Sequence, residues 1–122
     1  MGNFMKNLSP EIFRQRLLIE ATYNSEVNKE LILEYFDKLA KELDTKIYGK
    51  PEVHSTDGRG KWINQGYDAF VPLVDSGISF YVWTNAKFLS VIIYTCKKFE
   101  AKKAINFTKE FFNIKEIETM EF

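Results

Sequence analysis

Two stretches of the chain repeat apolar residues at the spacing of an α-helix. The first predicts a helix over 26–43, with Ser25 as its N-cap, and the second predicts a helix over 100–112. The apolar positions of the first are Val27, Leu31, Ile32, Tyr35, Phe36, Leu39, Ala40 and Leu43. Those of the second are Ala101, Ala104, Ile105, Thr108, Phe111 and Phe112.

Other stretches follow the two-residue period of β-strands. Between residues 13 and 23, Leu17, Ile19, Ala21 and Tyr23 fall on one face. Further strands are predicted over 66–74, 78–83, 88–95 and 114–121, and a short one over 45–55 is interrupted by Gly49 and Pro51. The order β-α-β-β-β-β-α-β predicts an α+β fold, a two-layer sandwich in which two helices pack on one face of an antiparallel sheet.

Length and composition predict one domain. The chain has 122 residues, of which 45% are hydrophobic and 16% aromatic, enough for one core. Residues 1–11 mix Gly, Asn, Ser and Pro without periodicity and are predicted to form a loose arm before a single domain over 12–122.

Charge and cysteine content exclude several classes of function. Seventeen basic residues balance seventeen acidic ones, which argues against a nucleic-acid or anionic-membrane partner. The only cysteine, Cys96, cannot form an internal disulfide, and no apolar run spans a bilayer, so we expect a cytoplasmic protein. We expect no metal site, because His54 is the only histidine and no ligand partner lies at a suitable spacing.

The stretch 74–83, VDSGISFYVW, places Asp75, Ser76 and Gly77 between two apolar runs. Taken locally, these residues predict a hairpin turn. The longer segment 62–96, WINQGYDAFVPLVDSGISFYVWTNAKFLSVIIYTC, resembles the small prokaryotic S-adenosylmethionine decarboxylases, pyruvoyl enzymes of spermidine biosynthesis. In that family an acidic residue precedes a serine, a tryptophan follows seven residues later, and a cysteine lies thirteen residues beyond it. Asp75, Ser76, Trp83 and Cys96 fit that frame without a gap.

The resemblance implies a self-cleaving bond between Asp75 and Ser76. In the family, the serine hydroxyl attacks the preceding carbonyl to form an ester, and β-elimination then leaves a pyruvoyl group on the new N-terminus. That group takes up the electrons released with CO2, and the cysteine, here Cys96, donates a proton to the product carbanion. If Ser76 is processed in this way, it becomes the cofactor.

Two processing positions depart from the family. The histidine that removes the α-proton, five residues after the serine, is replaced by Tyr81, and a phenol is a poor base at neutral pH. The serine that assists processing, eight residues before the cleavage site, is replaced by Asp68.

Of two substrate-binding positions of the family, one is matched in this chain and the other is replaced. The aromatic residue that stacks on adenine is matched by Trp62, with Trp83 as a second aromatic candidate, whereas the glutamate that holds the ribose is replaced by Asn85. Each residue also has a structural interpretation, in which the tryptophans pack, Cys96 is a small core residue and Ser76 belongs to a turn.

Three interpretations of function follow from these residues. The favoured one is an uncleaved homologue that acts as a binding, regulatory or partner subunit linked to polyamine metabolism. The alternative is an active pyruvoyl-dependent decarboxylase of S-adenosylmethionine or a related amino acid, and the third is a structural or oligomerisation module. The resemblance also implies a homodimer and an S-adenosylmethionine-like ligand.

Overall fold

The computed structural model describes residues 5–122. Six strands and two α-helices follow one another in the predicted order. They are β1 (Gln15–Tyr23), α1 (Lys29–Glu42), β2 (Glu52–Ser55), β3 (Gly66–Leu73), β4 (Ser76–Trp83), β5 (Phe88–Thr95), α2 (Ala101–Phe111) and β6 (Ile114–Glu121). A short 3₁₀ turn, Trp62–Asn64, precedes β3.

All six strands form one antiparallel sheet in the order β2-β3-β4-β5-β1-β6. One face of the sheet packs against α1 and α2, and its side chains form the core. The other face, here called the outer face, carries no helix in the described part of the chain. The predicted two-layer α+β sandwich is therefore confirmed.

The core between the layers is rich in aromatic side chains. Tyr35 of α1 lies at its centre, with its ring centroid 5.5 Å from that of Phe80 and 4.7 Å from that of Phe112. Its hydroxyl is paired with Thr108 Oγ1 at 2.7 Å, so this buried polar group is satisfied. Because Phe80 belongs to β4, the cluster fixes the strand that begins at Ser76.

Helix α1 begins later than the sequence indicates. The predicted N-cap, Ser25, instead donates a hydrogen bond from Oγ to the carbonyl of Phe112. The N-cap is Asn28, whose side chain accepts a 2.9 Å hydrogen bond from the N–H of Leu31. Both residue types are good caps, and the contact of Ser25 with the end of α2 decides between them.

The predicted strand over 45–55 is too long. Only Glu52–Ser55 pairs with β3, and Ile47 makes a single bridge to Leu73. Between these two contacts, Gly49 has φ of 89° and Pro51 has no N–H to donate, so a continuous ladder cannot form.

Residues 5–14 form no helix or strand. Arg14 binds this segment through hydrogen bonds to the carbonyls of Ser9 and Ile12 and to Asn7 Oδ1. The first four residues of the predicted arm lie outside the described part of the chain. No helix within residues 5–122 has the length and apolar character needed to cross a bilayer.

Candidate functional site

Ser76 and Cys96 lie side by side at one end of the sheet. Ser76 is the first residue of β4, and Cys96 follows the last residue of the neighbouring strand β5. The backbone N–H of Cys96 donates a 3.1 Å hydrogen bond to Ser76 Oγ. An N–H aimed at this oxygen stabilises negative charge developing on it, so the contact favours a nucleophilic hydroxyl.

Asp75, the residue before Ser76, has a left-handed backbone conformation. The hairpin turn consists of Val74 and Asp75, and Ser76 and Gly77 already belong to β4, so the turn lies one residue earlier than Asp75–Gly77. Asp75 has φ of 56°, a conformation that costs a non-glycine residue about 1–2 kcal/mol. Backbone strain is therefore located beside the Asp75–Ser76 bond.

Gly77 lies within β4, and an aromatic ring of the neighbouring strand covers it. A Cβ atom at this position would lie 2.7 Å from two ring atoms of Phe70, on the adjacent strand β3. The glycine is therefore explained by close packing on the outer face, not by a turn.

Two cavities meet at Asp75 and Ser76. The first, about 430 Å³, opens toward the end of α1 and is lined by Asp44, Thr45, Lys46, Val74, Asp75, Ser76, Cys96 and Lys97. The second, about 300 Å³, lies on the outer face and is lined by Phe70, Asp75, Ser76, Gly77, Ser79, Ile92 and Tyr94. The serine can thus be approached from both faces of the sheet.

Asp68 and Tyr81 form a second group on the outer face. They are directly opposite each other on β3 and β4. Tyr81 is five residues along β4 from Ser76, which corresponds to about 17 Å, and its side chain points to the opposite face. Within one chain, neither residue can reach the Asp75–Ser76 bond.

The cross-strand row that contains Asp68 and Tyr81 runs across the whole sheet. Its members, in sheet order, are His54, Asp68, Tyr81, Ser90, Glu20 and Glu118. Ser90 donates a 3.1 Å hydrogen bond from Oγ to Glu20 Oε2, and the imidazole of His54 is 3.2 Å from Glu52 Oε1. The only histidine is therefore two strands from Tyr81, a placement that the sequence pattern did not show.

Trp62 and Asn85 form a third group at the far end of β4. Asn85 donates a 2.7 Å hydrogen bond from Nδ2 to the carbonyl of Trp62, whose side chain is 66% exposed. Both border a polar cavity of about 380 Å³, together with Glu26, Val27, Asp57, Tyr67, Thr84 and Lys87. Trp83, close by on the outer face, stacks on Phe88 with ring centroids 5.4 Å apart.

Comparison with known proteins gives one consistent result. The family model described as S-adenosylmethionine decarboxylase matches residues 17–122. The S-adenosylmethionine decarboxylase proenzyme of Clostridium botulinum (strain Langeland) is 33% identical over 95 residues, which cover 77% of this chain and 76% of the relative. The proenzyme of the Loch Maree strain is 30% identical over the same length.

This chain belongs to the S-adenosylmethionine decarboxylase family. The fold agrees with that of a crystal structure of the adenosylmethionine decarboxylase from Aquifex aeolicus VF5, with a TM-score of 0.72 over 91% of this chain and 89% of that one. At 19% identity, that likeness supports the fold alone. The resemblance carried by Asp75, Ser76, Trp83 and Cys96 is thus confirmed at the level of the family.

The residues selected from the sequence by their match to S-adenosylmethionine decarboxylases do not form one cluster. The structure brings together Asp75, Ser76 and Cys96, and separately pairs Asp68 with Tyr81 and Trp62 with Asn85. Along β4, Trp83 is seven residues from Ser76, a distance of about 24 Å.

Sequence reasoning missed several polar residues in the two end cavities. Lys46 and Lys97 border the cavity at Ser76, and Glu26 and Asp57 border the one at Trp62. They come from segments far apart in sequence, so no spacing rule could have joined them to the site. Among residues 5–122, no group of three or more His, Cys, Asp or Glu side chains is arranged to hold a metal ion.

Proposed function

We propose that this S-adenosylmethionine decarboxylase homologue stays uncleaved and acts as a cytoplasmic nucleoside-binding, regulatory or partner subunit linked to polyamine metabolism. One observation carries the proposal: the processing position opposite Asp68 holds the phenol of Tyr81. A phenol is a poor base at neutral pH, so elimination of the ester lacks its proton acceptor. The cytoplasmic setting rests on the single cysteine, Cys96, which has no disulfide partner within the chain.

A second candidate is an active pyruvoyl-dependent decarboxylase of S-adenosylmethionine or a related amino acid. It is favoured by the strained φ of Asp75 and by the hydrogen bond that Ser76 Oγ accepts from the Cys96 N–H. Strain beside the scissile bond and a polarised serine oxygen both assist attack on the Asp75 carbonyl. The two candidates share the same first step and differ at the proton transfer that follows it.

The residues around Ser76 fit the pyruvoyl group that family enzymes use. Ser76 borders open cavities on both faces of the sheet, and Cys96 is its neighbour, as a proton donor to a product carbanion must be. When formed, the group supplies an electron sink for decarboxylation. This chain's own residues would then admit the ligand through one cavity and deliver a proton from Cys96.

We also propose that the complete site is shared between two copies of the chain. Asp68 and Tyr81 point outward from the uncovered face, about 17 Å from Ser76 of the same chain. A second copy stacked on this face would bring its Asp68 and Tyr81 toward the outer cavity beside Ser76. Exposed apolar side chains support such a contact, namely Phe70, Tyr81, Tyr94 and Met120.

Calorimetric titration tests the binding part of the proposal. S-adenosylmethionine and its decarboxylated form are titrated into the wild type and into Trp62→Ala. Stacking on Trp62 predicts that the substitution weakens binding by about 1–3 kcal/mol. Equal affinity of the two proteins rejects the stacking role, and no binding of either compound favours the third interpretation, a structural module.

A further inference from the structure

Two carboxylates border the cavity at Trp62, and neither lies at the sequence position where the family has its ribose-binding glutamate. That position is Asn85, and its Nδ2 is already bonded to the carbonyl of Trp62 at 2.7 Å. The amide therefore fastens the Trp62 turn to the residues that follow β4, and it adds no negative charge to the cavity. Glu26 and Asp57 supply that charge from two other segments.

We propose that Glu26 takes the place of the missing glutamate and binds the two ribose hydroxyls of an adenine nucleoside stacked on Trp62. This inference rests on the proposed nucleoside binding and adds the residue that makes it selective. A carboxylate accepts hydrogen bonds from two adjacent hydroxyl groups, and charged acceptors form the stronger bonds. Loss of either hydroxyl leaves one of these bonds unmade.

Glu26 lies on a backbone segment that is held at both sides. Ser25 Oγ donates to the Phe112 carbonyl at 3.0 Å, and Lys87 Nζ donates to the Ser25 carbonyl at 3.2 Å. The next residue, Val27, is 7% exposed and belongs to the core. A fixed backbone holds a binding group in place before the ligand arrives.

Asp57 lies on a glycine-containing turn. Its N–H donates a 3.2 Å hydrogen bond to Ser55 Oγ, and the N–H of Gly58 donates a 3.1 Å hydrogen bond to Gln65 Oε1. The turn is held by polar contacts alone, whereas the Glu26 segment is also anchored in the core through Val27. We therefore assign the main contact to Glu26, with Asp57 as the second carboxylate of the cavity.

Glu26 borders the cavity as an exposed carboxylate and forms no ion pair within residues 5–122. Lys87, the cation that borders the same cavity, donates from Nζ to the carbonyl of Ser25 and lies 5.7 Å from the centre of the Tyr23 ring. Burial, followed by the charge of Glu26, raises the pKa of Tyr23 to about 12, so the carboxylate lies near that phenol.

The test uses 5′-methylthioadenosine, which carries both ribose hydroxyls but lacks the amino-acid tail of S-adenosylmethionine. It is titrated by calorimetry beside its 2′-deoxy analogue into wild type, Glu26→Gln, Asp57→Asn and the control Glu30→Gln. Glu30 lies in the first turn of α1 and does not border the cavity. We expect wild type and Glu30→Gln to prefer the diol about tenfold, and Glu26→Gln to bind both compounds equally.

The outcomes separate this inference from the proposed function. If the wild type binds and Trp62→Ala does not, but Glu26→Gln keeps the diol preference, the Glu26 assignment is wrong and nucleoside binding stands. If only Asp57→Asn removes the preference, the contact belongs to Asp57 and the assignment is also overturned. Absence of binding to the wild type overturns both the inference and the proposed nucleoside site.

Discussion

The N–H of Cys96 donates a 3.1 Å hydrogen bond to the Oγ of Ser76, twenty residues earlier in the chain. The contact arises because β4 and β5 are neighbours in register, with Gly77 opposite Tyr94. It joins the two residues on which family chemistry depends.

Removing this hydrogen bond should lower stability by a measurable amount. In Ser76→Ala, the N–H of Cys96 loses its acceptor, and we expect the free energy of unfolding to fall by about 1 kcal/mol. Ser79→Ala is the matched control, since Ser79 lies on the same strand and has no side-chain hydrogen bond within residues 5–122. Urea denaturation measures both, and equal loss in the two variants would show that the Ser76 contact contributes nothing.

Restoring the family's processing residues should restore cleavage. Imidazole accepts a proton at neutral pH, so Tyr81→His combined with Asp68→Ser should produce fragments 1–75 and 76–122 on a denaturing gel. Met120→His, also on the outer face but on β6 and away from both cavities at Ser76, serves as the control that adds a histidine at the wrong place. An intact double variant would place the defect in the turn at Val74 and Asp75.

The shared site predicts complementation between two chains. A carrier with Tyr81→His, Asp68→Ser and Ser76→Ala has the proton acceptor but cannot be cut. Co-expressed with the wild type, it should cause cleavage of the wild-type chain if the outer faces pair. If the repaired single chain cleaves but the mixture does not, processing occurs within one chain and the shared-site proposal is wrong.

Stability should fall at alkaline pH because two tyrosines are buried in the neutral form. Burial raises the pKa of Tyr23 to about 12 and also raises that of Tyr35. The folded state therefore holds protons that the unfolded state releases near pH 10, so stability is complete below about pH 10 and is lost as pH rises toward 12.

Tyr23→Phe tests this pH dependence. It should flatten the decline between pH 10 and 12 and, because the Tyr23 hydroxyl has no hydrogen-bond partner within residues 5–122, raise the free energy of unfolding at pH 7 by about 1 kcal/mol. Tyr94→Phe, at an exposed position, is the control and should change neither quantity. Chemical denaturation at several pH values gives the comparison, and an unchanged slope in Tyr23→Phe contradicts the assignment.

Gly66 lies so close to the backbone of the neighbouring strand that we expect any side chain at this position to lower stability strongly. A Cβ there would lie 1.9 Å from the carbonyl oxygen of Val82, so Gly66→Ala should cost about 3 kcal/mol or more. Gly58→Ala, with positive φ but open space, should cost only about 1–2 kcal/mol. Similar thermal unfolding of the two variants would contradict this account of the β3–β4 end.

Periodicity predicted the elements well because both helices and most strands bury one regular face. Periodicity did not locate two features that depend on tertiary contacts: Asn28 caps α1 while Ser25 is bonded to Phe112, and Gly77 lies in β4 beneath the ring of Phe70. The adjacency of Ser76 and Cys96 follows from neighbouring strands.

The arrangement of the other candidate residues could not be read from the sequence. Strand alternation directs Asp68 and Tyr81 to the outer face. Asn85 donates its side-chain hydrogen bond to the carbonyl of Trp62. Glu26 joins the cavity only through the packing of the segment between β1 and α1. These contacts depend on the three-dimensional fold, and a spacing pattern cannot show them.

Intact mass spectrometry of the purified wild-type chain, before and after hydroxylamine, shows whether the Asp75–Ser76 bond is cleaved. We expect a single mass for the uncleaved chain, because Tyr81 does not remove the proton needed for elimination. If an ester forms at Ser76 and stalls, hydroxylamine should cut the wild type there and leave Ser76→Ala whole. Two fragments without hydroxylamine, the second covering 76–122 and starting with a pyruvoyl group, would show that the chain is processed and would favour the active decarboxylase instead.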